Sequence, residues 1–184
     1  MMQIKWFLSI IVMFFAKYLI AWPLTPLVVL FVRGDGWLPG WLSWFGTPDN
    51  SMDGDGGWQT QSRFFINESN KFKRYINRCG WIWRNSLYGF NHDVLSIKYK
   101  AGDTLVVIGD PNVSNGPPGF SGTVVRRLMR GGKVVAWQWY YIRQYKRWPK
   151  TCIRINVGYK LWGFGTLDRA PFVLSPSPTM HFTL

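Results

Sequence analysis

Histidine and cysteine are scarce in this sequence, with two of each. His92 and His181 have no ligand spacing to another His, Cys or carboxylate, apart from the adjacent Asp93. Cys79 and Cys152 fit no metal-binding spacing, so we predict two free thiols rather than a disulfide or a zinc site. Neighbouring residues of a strand point to opposite faces, so we expect no catalytic pair from His92 and Asp93.

Recognisable catalytic motifs are also missing. The sequence contains no nucleophile elbow, no phosphate-binding loop, no dinucleotide fingerprint and no C-x-x-C pair. Its Ser and Cys side chains have no evident base beside them. We therefore predict a protein that is not an enzyme and that takes no small-molecule substrate.

Acidic residues are few: nine Asp and Glu stand against 22 Lys and Arg, a formal net charge of +13. Four of the nine are the aspartates of residues 34–57, a stretch without Lys or Arg. The chain beyond residue 57 holds 19 basic and five acidic residues, a balance of +14. A basic surface attracts phosphate, so the partners that we expect are anionic membrane lipids or, alternatively, nucleic acid.

Tryptophan, in contrast, is abundant, with 12 residues in an aromatic share of 18%. It either fills a β-rich core or lies at a membrane–water boundary, where an amphipathic indole is stable. Strings such as Trp137–Trp148 interleave aromatic and basic residues, a pattern that suits stacking on bases or contact with lipid headgroups. We favour lipid because an apolar segment is present.

That segment runs from Trp6 to Val32 and is interrupted only by Lys17 and two prolines. A helix of this length spans about 40 Å, more than the roughly 30 Å of a bilayer core. No small-x-small cleavage site follows, so we predict an uncleaved anchor over residues 1–33. A transmembrane helix kinked near Pro23 is one arrangement; in the other, Leu27–Val32 turns back as a re-entrant arm.

Lys17 is the one charge within this apolar segment. A cation inside a membrane is a candidate functional residue. Its long stem also allows the ammonium to reach the interface, which is the interpretation that we favour.

Residues 34–60 form the second predicted segment. Its first part is rich in tryptophan: Trp37, Trp41 and Trp44 recur at i, i+4 and i+7, and on a short helix they would form one face beside the membrane. Its second part is an acidic Gly/Asp loop. Counted as a calcium loop, Asp49, Ser51, Asp53 and Asp55 take the first ligand positions, but Thr60 stands where a bidentate Glu is needed. We favour a cluster of Asx turns, with calcium as the one cofactor that the loop suggests.

Residues 61–184 are predicted to form a basic α+β body. Asn70–Asn85 has the period of an amphipathic helix, with Asn70 as its N-cap. Its apolar face would include Phe72, Cys79 and Trp83. Its basic residues, on the opposite face, suit an anionic bilayer or phosphate: Lys71, Lys73, Arg74, Arg78 and Arg84.

From about Ser96 the period changes to two, which predicts a small antiparallel β-sheet. Gly131-Gly132 signals a hairpin between Gly122–Arg130 and Lys133–Arg143, with Arg126 opposite Trp137. Thr104–Gly109 and Cys152–Tyr159 are further strands. Pro171–Leu174 is a short edge strand, and the tail from Ser175 is expected to fray. The fold class predicted is α+β with the helices first.

The strings TPDNSMDGDGGW (Thr47–Trp58) and YINRCGWIWRNSLYGF (Tyr75–Phe90) resemble a group of membrane-anchored proteins of tailed bacteriophages and prophages. Further resemblance lies in GYKLWGF (Gly158–Phe164) and RAPFVLSPSP (Arg169–Pro178). The shared features are a TPDN-x-x-DGD loop and a W-R-N-x-x-Y-G-F string. The resemblance implies a phage product at the host inner membrane, and it implies no activity.

The leading hypothesis is a non-catalytic, membrane-anchored accessory protein that binds a lipid surface or a host or phage protein. Its basic body would lie on the cytoplasmic side, against anionic lipid. One alternative is a membrane-tethered nucleic-acid-binding protein. The other is a virion component whose apolar segment packs against further subunits. In each case the acidic loop would pair with arginines of the body and dock the anchor onto the sheet.

Overall fold

The computed structural model describes residues 2–61, 70–114, 119–145, 151–161 and 172–182. The chain divides into two compact units, one of Leu8–Leu95 and one of Met1–Phe7 with Ser96–Leu184. We call them the helical unit and the sheet unit. The predicted α+β class, with an apolar N-terminal helix, a second helix and a small antiparallel sheet, is confirmed.

The apolar segment is one continuous helix made of α1 (Met2–Phe15), a π-helical stretch (Ala16–Ala21) and α2 (Trp22–Val29). The π-helical stretch ends where Pro23, which has no N–H, enters the helix, and such bulges accommodate interrupted hydrogen bonding. After α2 the amides of Leu30, Phe31 and Val32 bond three residues back. Leu27–Val29 therefore completes the helix and Leu30–Val32 adds a tighter turn to its end, while the arrangement of this segment in a membrane stays a prediction.

The rest of the helical unit consists of short elements around α4 (Lys71–Arg84). These are a 3₁₀ turn (Gly40–Phe45), α3 (Gly56–Gln61), α5 (Tyr88–Phe90) and a π-helical turn (Asn91–Leu95). Helix α4 begins where predicted, because the Asn70 side chain accepts hydrogen bonds from the amides of Phe72 and Lys73.

The predicted apolar face of α4 is partly the observed one, since Cys79 and Ile82 are buried, but the buried face is rotated toward Trp81 and Asn77. Phe72 is 70% exposed and Trp83 39%, whereas Trp81 and Asn77 are buried. Trp58, which precedes α4 in the chain, decides this: its ring lies 5.7 Å from that of Trp81, and its Nε1 donates to Asn77 Oδ1 at 3.0 Å. With its amide bonded, Asn77 is stable inside the core.

His92 and Asp93 also differ from expectation. They lie in the π-helical turn rather than in a strand, and His92 Nδ1 contacts Asp93 Oδ1 at 2.7 Å. The argument that alternation separates the two side chains was therefore wrong.

The sheet unit is a five-stranded antiparallel meander in the order β1-β2-β3-β4-β5. Its strands are β1 (Thr104–Gly109), β2 (Gly122–Arg130), β3 (Lys133–Gln144), β4 (Thr151–Tyr159) and β5 (Leu174–Phe182). Gly131 and Gly132 form the predicted hairpin turn, both with positive φ (53° and 75°), as a two-residue primed turn requires.

The register of this hairpin was predicted wrongly. A β-bulge between Leu128 and Met129 shifts the pairing, so Arg126 lies opposite Gln138 and not Trp137. An extra residue on one strand moves every later pair by one position, and no turn signal in the sequence reveals it.

The C-terminal strand was also placed wrongly. Backbone pairing to β4 extends from Leu174 to Phe182, through the tail that was expected to fray. Pro176 and Pro178 are compatible with this because β5 is an edge strand, where a missing N–H can face away from the neighbouring strand.

One face of the sheet carries a core of Val113, Val124, Tyr140, Ile142 and Cys152, which forms no disulfide. The same face buries polar groups. Arg126 donates to Gln138 Oε1 and Gln138 donates to Asn156 Oδ1, at 3.1 and 2.9 Å. At the other end of the chain, Trp6 also belongs to this unit, since its Nε1 donates to Gly158 O at 3.1 Å.

Candidate membrane-interface site

From Ile4 to Ile20 the apolar helix buries no residue, and it buries one face only further on, at Ala21, Thr25, Val28 and Val29. Only 11% of its most apolar 18-residue window is buried. The adjacent pairs Phe14 and Phe15, and Leu19 and Ile20, are all between 48% and 69% exposed. Neighbouring helical residues point about 100° apart, so no single neighbour covers them. By length and composition, Ile4–Val29 is the one helix among the described residues that could cross a membrane.

Helix α4 is attached to α2 at backbone groups that the helix leaves free. Pro26 has no N–H, so the carbonyl of Trp22 lacks its normal helical donor. Trp83 supplies one, with Nε1 at 3.2 Å from that oxygen. The carbonyl of Pro26 in turn accepts the Tyr75 hydroxyl at 2.9 Å, because Leu30 N bonds to Leu27 O instead. Side chains of α4 thus complete the hydrogen bonding of α2.

A third hydrogen bond runs in the opposite direction. Trp22 Nε1 donates to Ser86 Oγ at 3.0 Å, just beyond the end of α4. The two indoles, Trp22 and Trp83, are therefore each fixed by a polar bond to the other helical segment. Such bonds hold the rings in one orientation while leaving their apolar faces outward.

The predicted interfacial tryptophans are only partly one surface. Trp41 and Trp44 lie in the 3₁₀ turn and are 70% and 52% exposed. Residues three apart eclipse in a 3₁₀ helix, so these two share a side. Trp37 precedes the turn and is half-buried. It lies outside the helical turn, because Pro39 is extended and the turn begins only after it. A single helical face of all three is therefore wrong.

Ring contacts extend the exposed surface of Trp41 and Trp44 to two further aromatic residues. The ring of Trp41 lies 5.4 Å from that of Phe31, which follows α2 and is 53% exposed. The ring of Trp44 lies 5.6 Å from that of Phe90. We call Phe31, Trp41 and Trp44 the aromatic patch.

The predicted basic residues of α4 have unequal roles. Lys71 is exposed and Lys73 half-buried. The guanidinium of Arg84 lies over the rings of Trp58 and Trp81, at 5.5 and 5.8 Å from their centroids. Arg74 and Arg78 both bond to a carboxylate of the acidic loop. Less of this charge is free for an external phosphate than the sequence implied.

That carboxylate is Asp53. Each arginine donates to it through two nitrogens, and the shortest distances are 2.7 Å in both cases. Burial alone would raise the pKa of Asp53, but the bonds from Arg74 and Arg78 outweigh it and hold that pKa well below its usual range. The expected pairing of the loop with arginines is therefore observed, but with helix α4 and not with the sheet.

The other loop residues behave as turn formers. Asp55 Oδ1 accepts the amide of Trp58 at 2.6 Å, at the start of α3. The carbonyl of Ser51 accepts the amide of Gly54. Asp49 is exposed. Within the described ranges no three His, Cys, Asp or Glu residues come close enough to hold a metal ion, and calcium at this loop stays a prediction.

Lys17 lies in the π-helical stretch and is half-buried. Its ammonium is 5.4 Å from the ring centroid of Tyr18 and 5.7 Å from that of Trp22, within the range of cation–π attraction. The candidate in-membrane charge therefore lies next to the indole that α4 holds in place.

Tyr75 and Trp83 were not predicted as residues that bond to the apolar helix. Proline inside an apolar helix is the signal that could have found them, because it leaves an unbonded carbonyl that needs a donor from elsewhere. A Tyr and a Trp on the amphipathic helix α4 would have been the natural candidates.

Comparison with known proteins places the whole chain in one family. A model described as "Family of unknown function (DUF7338)" matches residues 1–183. The chain belongs to this family. No curated protein and no solved structure matches it.

Proposed function

We propose that this DUF7338 member is a non-catalytic, membrane-anchored accessory protein that acts at a bacterial inner membrane by binding lipid or a protein partner. The observation that carries the proposal is the exposure of the apolar helix on every side from Ile4 to Ile20. An apolar surface this large is not stable in water and is typical of a membrane or protein contact.

The attachment of α4 to α2 supports placing the membrane surface near Trp22–Pro26 of the apolar helix. Helix α4 bears two Lys and three Arg and packs beside Trp22–Pro26 through Tyr75 and Trp83. Charged side chains are costly in hydrocarbon, so this part of α2 belongs at headgroup level. The apolar residues that precede Trp22 then enter the bilayer, and Trp22 and Tyr18 stand at its edge, where aromatic residues concentrate.

The aromatic patch would also lie at headgroup level. Trp41 and Phe31 are exposed beyond the end of α2, and Trp44 lies on the same side of the 3₁₀ turn as Trp41. Their rings would sit among headgroups, and Phe72, exposed near the start of α4, would add a further apolar contact. The basic residues of α4 would bind anionic lipid on the cytoplasmic side.

A phage origin is supported by the resemblance of the TPDN-x-x-DGD loop and the W-R-N-x-x-Y-G-F string. The structure adds a physical role for both strings, since Asp53 of the first pairs with Arg78, just upstream of the second, and Trp83 begins the second. The first string would then hold the acidic loop to α4, and the second would hold α4 to the apolar helix.

The test is fractionation of a tagged full-length chain in infected or expressing bacteria. We expect it in the inner-membrane fraction, resistant to alkaline carbonate and released by detergent. A chain that remains in the soluble fraction without detergent would end the proposal. A chain found mainly in purified phage particles would favour the virion component instead.

A second candidate function rests on the sheet. Strand alternation puts Trp139, Tyr141 and Arg143 on one face, and the rings of Trp139 and Tyr141 stack at 6.4 Å with 27° between their planes. Arg127 and Arg143 are exposed beside them. Stacked aromatics with flanking cations suit single-stranded nucleic acid. Binding of an oligonucleotide that weakens steeply with salt, in competition with anionic vesicles, would favour this function.

A further inference from the structure

An open cavity of about 480 Å³ lies in the helical unit beside the apolar helix. It is lined by Tyr18, Trp22, Pro23 and Trp83. Lys17 contacts two of its three rings, those of Tyr18 and Trp22. The cavity thus combines apolar walls with one cation at its side.

The walls of the cavity are held in place. Trp83 donates to the backbone of Trp22, and Trp22 donates to Ser86. The ring of Pro23 restricts the backbone next to Trp22. A cavity whose walls are already fixed loses little conformational entropy when a ligand enters.

In the described part of the chain, no acidic residue forms an ion pair with Lys17. The ion pairs of the helical unit use other cations: Arg33 pairs with Asp35, and Arg74 and Arg78 pair with Asp53. A half-buried ammonium in an apolar helix is costly without an anion, and the aromatic faces compensate only part of that cost. Charge complementarity therefore calls for an anionic ligand.

The apolar walls decide which anion. A quaternary ammonium headgroup, the usual guest of an aromatic cavity, would meet the like charge of Lys17. Free phosphate would gain nothing from indole and phenol rings. A phospholipid with an anionic headgroup supplies both parts, a phosphate for the ammonium and glycerol and acyl carbons for the rings.

We propose that the cavity of Tyr18, Trp22, Pro23 and Trp83 binds one anionic phospholipid, with the headgroup phosphate on Lys17 and the first acyl carbons against the three rings. This rests on the proposed membrane location, because α4 places Trp22 at headgroup level. Lys17 is five residues before Trp22, about 7.5 Å along the helix, so its stem brings the ammonium to that level.

The experiment is native mass spectrometry of the purified full-length chain in detergent, titrated with phosphatidylglycerol or phosphatidylcholine of the same acyl chains. The variants are Lys17→Gln, Lys17→Arg and, as a matched control, Lys133→Gln, which removes the same charge from an exposed position of the β2–β3 hairpin. Thermal unfolding of each variant confirms that it is folded.

We expect one phosphatidylglycerol to bind preferentially, with an affinity that falls about tenfold or more in Lys17→Gln and that Lys17→Arg largely restores. Lys133→Gln should bind as the natural chain does, and millimolar inorganic phosphate should not displace the lipid.

Equal binding of the two lipids, an unchanged Lys17→Gln, or an equal loss in Lys133→Gln would each overturn the lipid site. Displacement by inorganic phosphate would overturn it as well. If the chain still fractionates with membranes, these results leave the anchoring proposal intact. A chain that stays soluble in cells overturns the anchoring and the lipid site together.

Discussion

Removing the charge of Asp53 is the sharpest perturbation of the helical unit. Its carboxylate joins the acidic loop to α4 through Arg74 and Arg78, whose side chains are 50% and 12% exposed. Asp53→Asn keeps the shape and deletes the charge, so both guanidinium groups lose their partner. Arg78 is the costly one because water reaches it poorly.

The size of the effect follows from this exposure. Breaking a fully buried ion pair costs about 3–5 kcal/mol, and an exposed pair contributes about 0–1 kcal/mol. The Arg78 pair lies between these limits and the Arg74 pair near the lower one, so we expect a loss of about 2–3 kcal/mol. For a chain of this length that lowers the unfolding midpoint by roughly 5–10 °C.

The assay is thermal unfolding followed by tryptophan fluorescence in detergent, with calcium and with a chelator. Asp49→Asn is the matched control, since it removes an exposed carboxylate from the same loop, and it should change little. Arg78→Gln should cost less than Asp53→Asn because Asp53 retains Arg74. An Asp53→Asn chain as stable as the control would refute this reasoning, and a loss seen only with calcium would favour the metal site.

The pH dependence has a definite sign. The pKa of Asp53 is lower in the folded chain than in the unfolded one, so its contribution is fully present above the unfolded pKa of about 3.9 and is lost as the pH falls below it. The difference between the natural chain and Asp53→Asn should therefore be constant from about pH 5 to 8 and shrink below about pH 4.

Three further predictions follow from other contacts. Trp83→Phe removes the donor to Trp22 O and should lower stability by about 1 kcal/mol, seen as a lower unfolding midpoint; Phe72→Leu, at an exposed position of α4, is its control. Hydrogen bonds from Arg130 lower the pKa of Asp103, so this ion pair stabilises the sheet unit at pH values above the unfolded pKa of Asp103. Asp103→Asn should lower the unfolding midpoint at pH 7 and have less effect near pH 3. Equal effects at the two pH values would contradict the ion pair. Val12→Asp, at an exposed position about 15 Å along the helix from Trp22, should leave the fold intact but cost about 2.5–3.5 kcal/mol in membrane insertion, measured by carbonate extraction. Leu19→Asp, between Tyr18 and Trp22 at the bilayer edge, should cost less, and equal retention of both variants and the natural chain would contradict the anchor.

Local signals in the sequence were sufficient for the elements themselves. The period of Asn70–Asn85 and its capping residue predicted α4, and Gly131-Gly132 predicted the β2–β3 turn. The apolar helix followed from composition alone. These features depend on residues close together in the chain, which is why one sequence can reveal them.

What the sequence could not reveal depends on distant residues. The buried face of α4 is rotated because Trp58 packs on Trp81 and Asp53 binds Arg78, contacts of about 20 residues' separation or more. The bulge at Leu128 has no turn signal. Strand β5 was missed because alternating Ser and Pro is typical of coil, and only pairing to β4 makes it a strand.

The candidate site divides in the same way. Lys17, Trp41 and Trp44 could be selected by residue type and position. The bond from Trp83 to Trp22, which forms a wall of the lipid cavity, depends on the approach of α4 to α2. Pro26 indicated that the carbonyl of Trp22 needed a hydrogen-bond donor, but not which residue would supply it.

The central claim is that the apolar helix holds this protein in a membrane. Alkaline carbonate extraction of membranes from cells that express the full-length chain tests it most directly. The account predicts that the chain stays in the pellet until detergent is added. Its recovery in the carbonate supernatant, or in the soluble fraction before extraction, would contradict the account.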